Sequence, residues 1–71
     1  MPKIPVLSGQ EMVKVLEKQG FIRTRQKGSH MILKKDNTGC VVPNHKELKK
    51  GTVLGILKQA SIPLEDFIAS L

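Results

Sequence analysis

The residues best equipped for chemistry gather around His30. Its imidazole sits in Gly28-Ser29-His30, between the basic run Arg23-Thr24-Arg25-Gln26-Lys27 and the apolar triplet Met31-Ile32-Leu33. Histidine is the side chain best able to give and take a proton near neutral pH. The cations around it suit a phosphate-bearing substrate. Metal-independent cleavage of RNA asks for little more. A base takes the proton of the 2′-hydroxyl, an acid protonates the leaving 5′-oxygen, and positive charge offsets the charge building on phosphorus. The segment Lys27-Gly28-Ser29-His30 supplies a proton-transfer group, a cation, a hydroxyl and a glycine that lets backbone approach a phosphate closely. Lys34 and Lys35 lie further along the same predicted strand. Lys49 and Lys50 precede a second predicted helix, whose N-terminus can itself hold a phosphate.

Each of these residues also has a plainer reading. A histidine at a strand start can be a half-buried polar group, and the lysine runs, including Lys46, can be a solvated face. Ser29 suits a turn, since no Asp or Glu beside it completes a nucleophile relay. His45, in the loop Pro43-Asn44-His45, reads first as a capping or packing residue and second as a supporting phosphate contact. Asp36 is explained by a turn, and Cys40, in an apolar strand, by a small core residue.

Composition narrows the function classes. The chain has 71 residues, room for a single domain over 1–71 with a thin core. Twelve Lys and Arg against six Asp and Glu give a net charge of +6, the electrostatic footprint of a protein that meets nucleic acid or an anionic surface. Phe21 and Phe67 are the only aromatic residues, too few for a platform that stacks unpaired bases. No apolar stretch reaches the length of a membrane span, and the long basic amphipathic helix of a membrane-surface binder is missing. The segment Met1 to Ser8 lacks an apolar signal core. One cysteine forms no internal disulfide and fits a reducing, cytoplasmic setting. One Cys and two His make no usual zinc site, so neither metal nor cofactor is expected.

The elements that must position His30 follow from local signals. Ser8-Gly9-Gln10-Glu11 has the capping-box pattern, Met12, Val13, Val15 and Leu16 give an apolar face, and Gly20 is a left-handed stop. These predict a helix over about residues 8–19. Strands follow at Phe21 to Lys27, His30 to Lys35 and Cys40 to Pro43. Gly28 separates the first two, and a four-residue turn, Asp36-Asn37-Thr38-Gly39, joins the last two into a hairpin. Pro43 ends the third strand or marks an edge. Val53, Leu54, Ile56 and Leu57 predict a helix from about Gly51 to Ala60, with Gly55 locally unfavourable inside it. Pro63 suits the first turn of a last short helix, with Glu65 and Asp66 near its positive end. The order is α-β-β-β-α with an extra helical turn, an α+β fold. On the second strand His30 and Ile32 share one face, Met31 and Leu33 the other. Both faces are apolar, so alternation leaves open which one packs.

Taken in order, these residues resemble a known family. Ser8-Gly9, Gly20-Phe21, Gly28-Ser29-His30, Pro43-x-His45 and Leu48-Lys49-Lys50-Gly51-Thr52 before Ile56-Leu57 together look like the HicA family of small mRNA-interferase toxins. The similarity covers about residues 6–69. It implies a fold like the double-stranded RNA-binding domain, with three antiparallel strands and helices on one face. It also implies metal-independent cleavage of mRNA, with the family's histidine falling on His30. The implied partner is a HicB-type antitoxin that covers the active site and the basic surface.

Three functions from different classes suit the residues. The first is a toxin ribonuclease using His30. The second is a non-catalytic double-stranded RNA-binding module, which recognises shape and phosphates and needs no histidine after Gly-Ser. The third is a small interaction protein whose basic face docks an acidic partner. The family resemblance favours the first.

Overall fold

The computed structural model describes residues 4–71, and residues 1–3 of the domain predicted over 1–71 lie outside the described residues. The elements run α1 (Gly9–Lys18), β1 (Ile22–Lys27), β2 (His30–Lys35), β3 (Thr38–Pro43), α2 (Lys50–Ala60) and α3 (Leu64–Ala69). This is the predicted α+β order.

Helix α1 begins where its cap dictates. The Ser8 hydroxyl accepts from the Glu11 amide at 3.1 Å, and the Ser8 amide donates to the Glu11 carboxylate at 3.0 Å. Both bonds favour ionised Glu11, and they lower its pKa. The helix ends at Gly20, whose φ of 97° opens a Schellman pattern. The Gly20 amide donates to the Glu17 carbonyl and the Phe21 amide to the Leu16 carbonyl, each at 3.0 Å. Because its amide closes the helix, Phe21 turns into the core, and β1 starts one residue later than predicted.

The three strands form one antiparallel sheet in the order β1-β2-β3. Lys27 pairs with His30, so Gly28 and Ser29 alone make the first turn, with Gly28 at φ 60°. The second turn is shorter than predicted. Lys35 pairs with Thr38 and Lys34 with Gly39, which leaves only Asp36 and Asn37 outside the ladder. Asp36 takes the left-handed conformation at φ 54°, one that a short polar side chain tolerates. Thr38 and Gly39 therefore belong to β3, not to the turn.

Helices α1 and α2 cover one face of this sheet. Met31 and Leu33 of β2 and Cys40 and Val42 of β3 point into that layer and are buried against Met12, Leu16, Val53 and Ile56. Phe67 of α3 closes the same core. Packing thus settles what alternation left open: Met31 and Leu33 face the helices, and His30 and Ile32 face away.

Candidate active site

Where the helices begin decides the chemistry available to His30. The Gly9 amide, in the first turn of α1, donates to the His45 carbonyl at 2.8 Å, so α1 starts beside the end of β3. At its far end, Lys35 Nζ donates to the Gln19 carbonyl at 2.8 Å, beside the β2–β3 turn. Helix α2 runs the same way. It starts after the loop that leaves β3, and Ala60 and Ser61 at its end line a shallow cavity with Lys35, Asp36 and Thr38. Both helices therefore direct their positive ends to the end of the sheet that carries the Lys27–His30 turn.

Side chains reinforce that polarity. Lys27, Lys46, Lys49 and Lys50 are exposed at this end, with His30 and His45. Asp36, Glu65 and Asp66 lie at the other end, the last two in the first turn of α3, while Glu11, tied into the α1 cap, and Glu47, beside Lys46, are the acidic residues at the lysine end. Lys49 caps α2 without a side-chain hydrogen bond, and the first turn of α2 holds no acidic residue. The amides there are left free to meet an anion.

His30 opens β2 and is exposed, paired with Lys27 on one side and Pro43 on the other. Cross-strand partners share a face, so the open side of the sheet has three rows. They are Lys27, His30 and Pro43; then Arg25, Ile32 and Val41; then Ile22, Lys34 and Gly39. A bulge at Thr24 shifts the register between Arg23 and Arg25. Arg23 thereby goes to the helix side, where its guanidinium lies 4.0 Å from the Met31 sulfur.

The sequence-predicted residues divide. Lys27, Gly28, Ser29 and His30 form one turn, and Lys49 and Lys50 lie at the same end of the molecule. Lys34 shares the His30 face but sits four residues on, about 13 Å along the strand. Lys35 is not brought to the site. It faces the helix layer, and its ammonium donates to the Gln19 carbonyl that caps α1. His45 is exposed, and its contribution to packing comes from its backbone carbonyl. Cys40 is a core residue whose thiol is pushed up to about 11 by burial.

Two residues unremarked in the sequence brace the turn. The Asn44 amide donates to the Ser29 carbonyl at 2.6 Å, and Asn44 Oδ1 accepts from Gln10 Nε2 at 3.2 Å. Gln10 of α1 thus holds the strand end beside His30. The only hint of this in the sequence is a polar pair at a helix start and a strand end.

Comparison with known proteins agrees with this geometry. Among curated proteins no sequence matches. A chain from a structure described as a toxin–antitoxin complex from Streptococcus pneumoniae is 41% identical and aligns with a TM-score of 0.71, over 79% of this chain and 98% of its own. The model of the HicA toxin of bacterial toxin–antitoxin systems matches residues 9–62, from the start of α1 past the end of α2. That span contains the sheet, both covering helices and the His30 turn, and this chain belongs to the HicA toxin family.

Proposed function

We propose that this toxin is an mRNA endoribonuclease that works without a metal, with His30 as its general acid or base. The exposed imidazole of His30, on the turn toward which both helix N-termini and the exposed lysines converge, carries the proposal. Attack of the RNA 2′-oxygen on the adjacent phosphorus forms a 2′,3′-cyclic phosphate and expels the 5′-oxygen. His30 moves one of the two protons in that exchange. Lys27 and the backbone of Gly28 and Ser29 face the phosphoryl oxygens as negative charge grows on them. Lys49 and Lys50, at the uncapped start of α2, hold a neighbouring phosphate, and Lys34 holds a more distant one. His45, exposed at the same end, is a supporting phosphate contact. The protein partner is an antitoxin of the HicB type that neutralises the nuclease.

The test compares cleavage of an mRNA by the wild-type protein and His30→Ala, with excess EDTA and no antitoxin. Cleavage by the wild type alone, leaving 2′,3′-cyclic ends, is the expected result. If neither protein cuts while both bind double-stranded RNA equally well, the chain is a non-catalytic RNA-binding module instead.

A further inference from the structure

The cleavage step moves two protons, and His30 accounts for one of them. The second histidine of the chain is held beside the same turn by its backbone. The Asn44 amide donates to the Ser29 carbonyl at 2.6 Å, which carries the β2–β3 ladder one step beyond its last pair, His30 with Pro43. Antiparallel pairs alternate between hydrogen-bonded and non-hydrogen-bonded, so Ser29–Asn44 is of the first kind and His30–Pro43 of the second. Pro43, which has no amide, suits that place. Asn44 turns its side chain to α1, where its Oδ1 accepts from Gln10 Nε2 at 3.2 Å. Alternation then returns residue 45 to the open face that carries His30. The Gly9 amide anchors it there by donating to the His45 carbonyl at 2.8 Å. His45 thus stands two residues past the partner of His30, a diagonal neighbour at about 7–8 Å. Both histidines are exposed.

We propose that His45 is the second proton-transfer group of the ribonuclease, working as a pair with His30. The inference rests on the ribonuclease reading above and supplies the second group that its chemistry requires. In-line displacement puts the attacking 2′-oxygen and the leaving 5′-oxygen on opposite sides of phosphorus. Two imidazoles a diagonal apart leave room for a phosphate between them, with one facing each oxygen. The bond from the 2′-oxygen to phosphorus forms as the bond to the 5′-oxygen breaks. One neutral imidazole takes the 2′-hydroxyl proton, and the other, an imidazolium, gives its proton to the 5′-oxygen. The pair ends with its two protonation states exchanged, and nothing else is consumed. The rest of the site offers charge rather than a second proton shuttle. Lys27, Lys46, Lys49 and Lys50 supply that charge, because among side chains only histidine ordinarily titrates near neutral pH. Glu11 is tied into the α1 cap. Glu47 lies two residues beyond His45, where the loop turns back toward the Leu7–Leu48 bridge.

The experiment measures single-turnover cleavage of RNA by the full chain, free of antitoxin, across pH. The variants are His45→Ala, His45→Gln and Glu47→Gln, and thermal unfolding checks that each is folded. Glutamine keeps a hydrogen bond to phosphate but transfers no proton, so it separates proton transfer from contact. Both His45 variants are expected to lose about 10²–10⁴-fold in rate at saturating protein while binding RNA as the wild type does. The bell-shaped pH profile of the wild type should keep a single limb in each of them. Glu47→Gln should cut at the wild-type rate. A substrate with sulfur in place of the 5′-oxygen at the cleavage site leaves without an acid. It should restore cleavage to one of His30→Ala and His45→Ala and not to the other. A wild-type saturating rate in His45→Gln, with RNA binding weakened in His45→Ala, reduces His45 to a phosphate contact. Loss of a pH limb in Glu47→Gln, with both limbs kept in His45→Gln, gives the role to Glu47. Each of these two outcomes overturns the inference and leaves the ribonuclease reading standing. A wild-type chain that cuts no RNA overturns both.

Discussion

Gly9 lies directly against the main chain of Pro43, so close that a β-carbon at residue 9 would overlap the Pro43 carbonyl oxygen and press on Asn44 Cα. The obstacle is backbone, which cannot swing aside as a side-chain tip does. Pro43 pairs with His30, so the contact fixes the distance between the start of α1 and the Lys27–His30 turn. Gly9→Ala is expected to lower stability by about 1–3 kcal/mol, the usual cost of forcing a methyl group into filled space. It also moves Asn44 away from Ser29. Denaturant unfolding reads the first effect and the cleavage rate of the folded variant the second. A variant with wild-type stability and rate would show that this contact does not set the position of β3's end.

Lys27 and Lys35 are both exposed lysines at strand ends, and their surroundings assign them different work. Lys27 stands beside His30 with no helix over it, and Lys35 donates to the Gln19 carbonyl at the end of α1. Lys27→Ala is expected to weaken RNA binding and to reduce the slope of log affinity against log salt by about one unit. Lys35→Ala should leave that slope unchanged and cost about 0.3–1 kcal/mol of stability, the scale of a cation at a helix C-terminus. Salt titrations of RNA affinity, each variant made in a His30→Ala background, separate the two. Equal slopes for the two variants would count against the site as drawn.

The same pair shows what a sequence can and cannot reveal. The order of elements is legible because its signals are local. Ser8 and Glu11 cap α1, Gly20 stops it, and Gly28 makes the first turn. The Lys27–His30 segment is legible for the same reason, since four consecutive residues in a tight turn stay together. Lys34 and Lys35 are indistinguishable in the sequence, and only the sheet register sends one to the open face and the other under it. The bulge at Thr24 has no signature in Arg23-Thr24-Arg25, where plain alternation would put both arginines on one face. The bracing of Ser29 by Asn44 and of Asn44 by Gln10 joins residues far apart in the chain. The second turn was predicted two residues too long because Thr38 and Gly39 are turn-forming types, and strand pairing overrode that preference.

Helix α2 is held by packing more than by local preference. Gly55 sits in its exposed interior with nothing within 4 Å of where a β-carbon would stand. At its end Ser61 takes the left-handed conformation, at φ 57°. Gly55→Ala should stabilise the protein by about 0.8–1 kcal/mol, since it removes backbone freedom from the unfolded chain at no steric cost. Ser61→Gly should stabilise it by about 1 kcal/mol by relieving the left-handed strain. In a domain of this size each step raises Tm by roughly 4–8 °C. Calorimetry of the two single variants and the double checks both the increments and their additivity. A fall in Tm for Gly55→Ala would mean that the glycine serves a contact outside the isolated chain.

Cys40 gives the protein an alkaline limit. Burial on the helix side of β3 disfavours the thiolate and pushes the thiol up to about 11, from an ordinary value of 9.0. The sign follows from proton binding. Below pH 9 the thiol is protonated in folded and unfolded chains alike, and stability does not depend on it. As pH rises past 9 the unfolded chain loses this proton while the folded one keeps it, so the unfolded state is favoured. The stability that Cys40 withholds from the unfolded chain is lost progressively as pH rises through its folded value. Unfolding midpoints measured from pH 8 to 11 should therefore fall more steeply for the wild type than for Cys40→Ala. The variant itself starts lower, because it leaves a small cavity where the sulfur packs among Leu33 and Val42. The same burial keeps the thiol out of any nucleophilic role. Alkylation by iodoacetamide at neutral pH should proceed only at the rate of unfolding, and fast labelling of the folded protein would contradict the placement of Cys40 in the core.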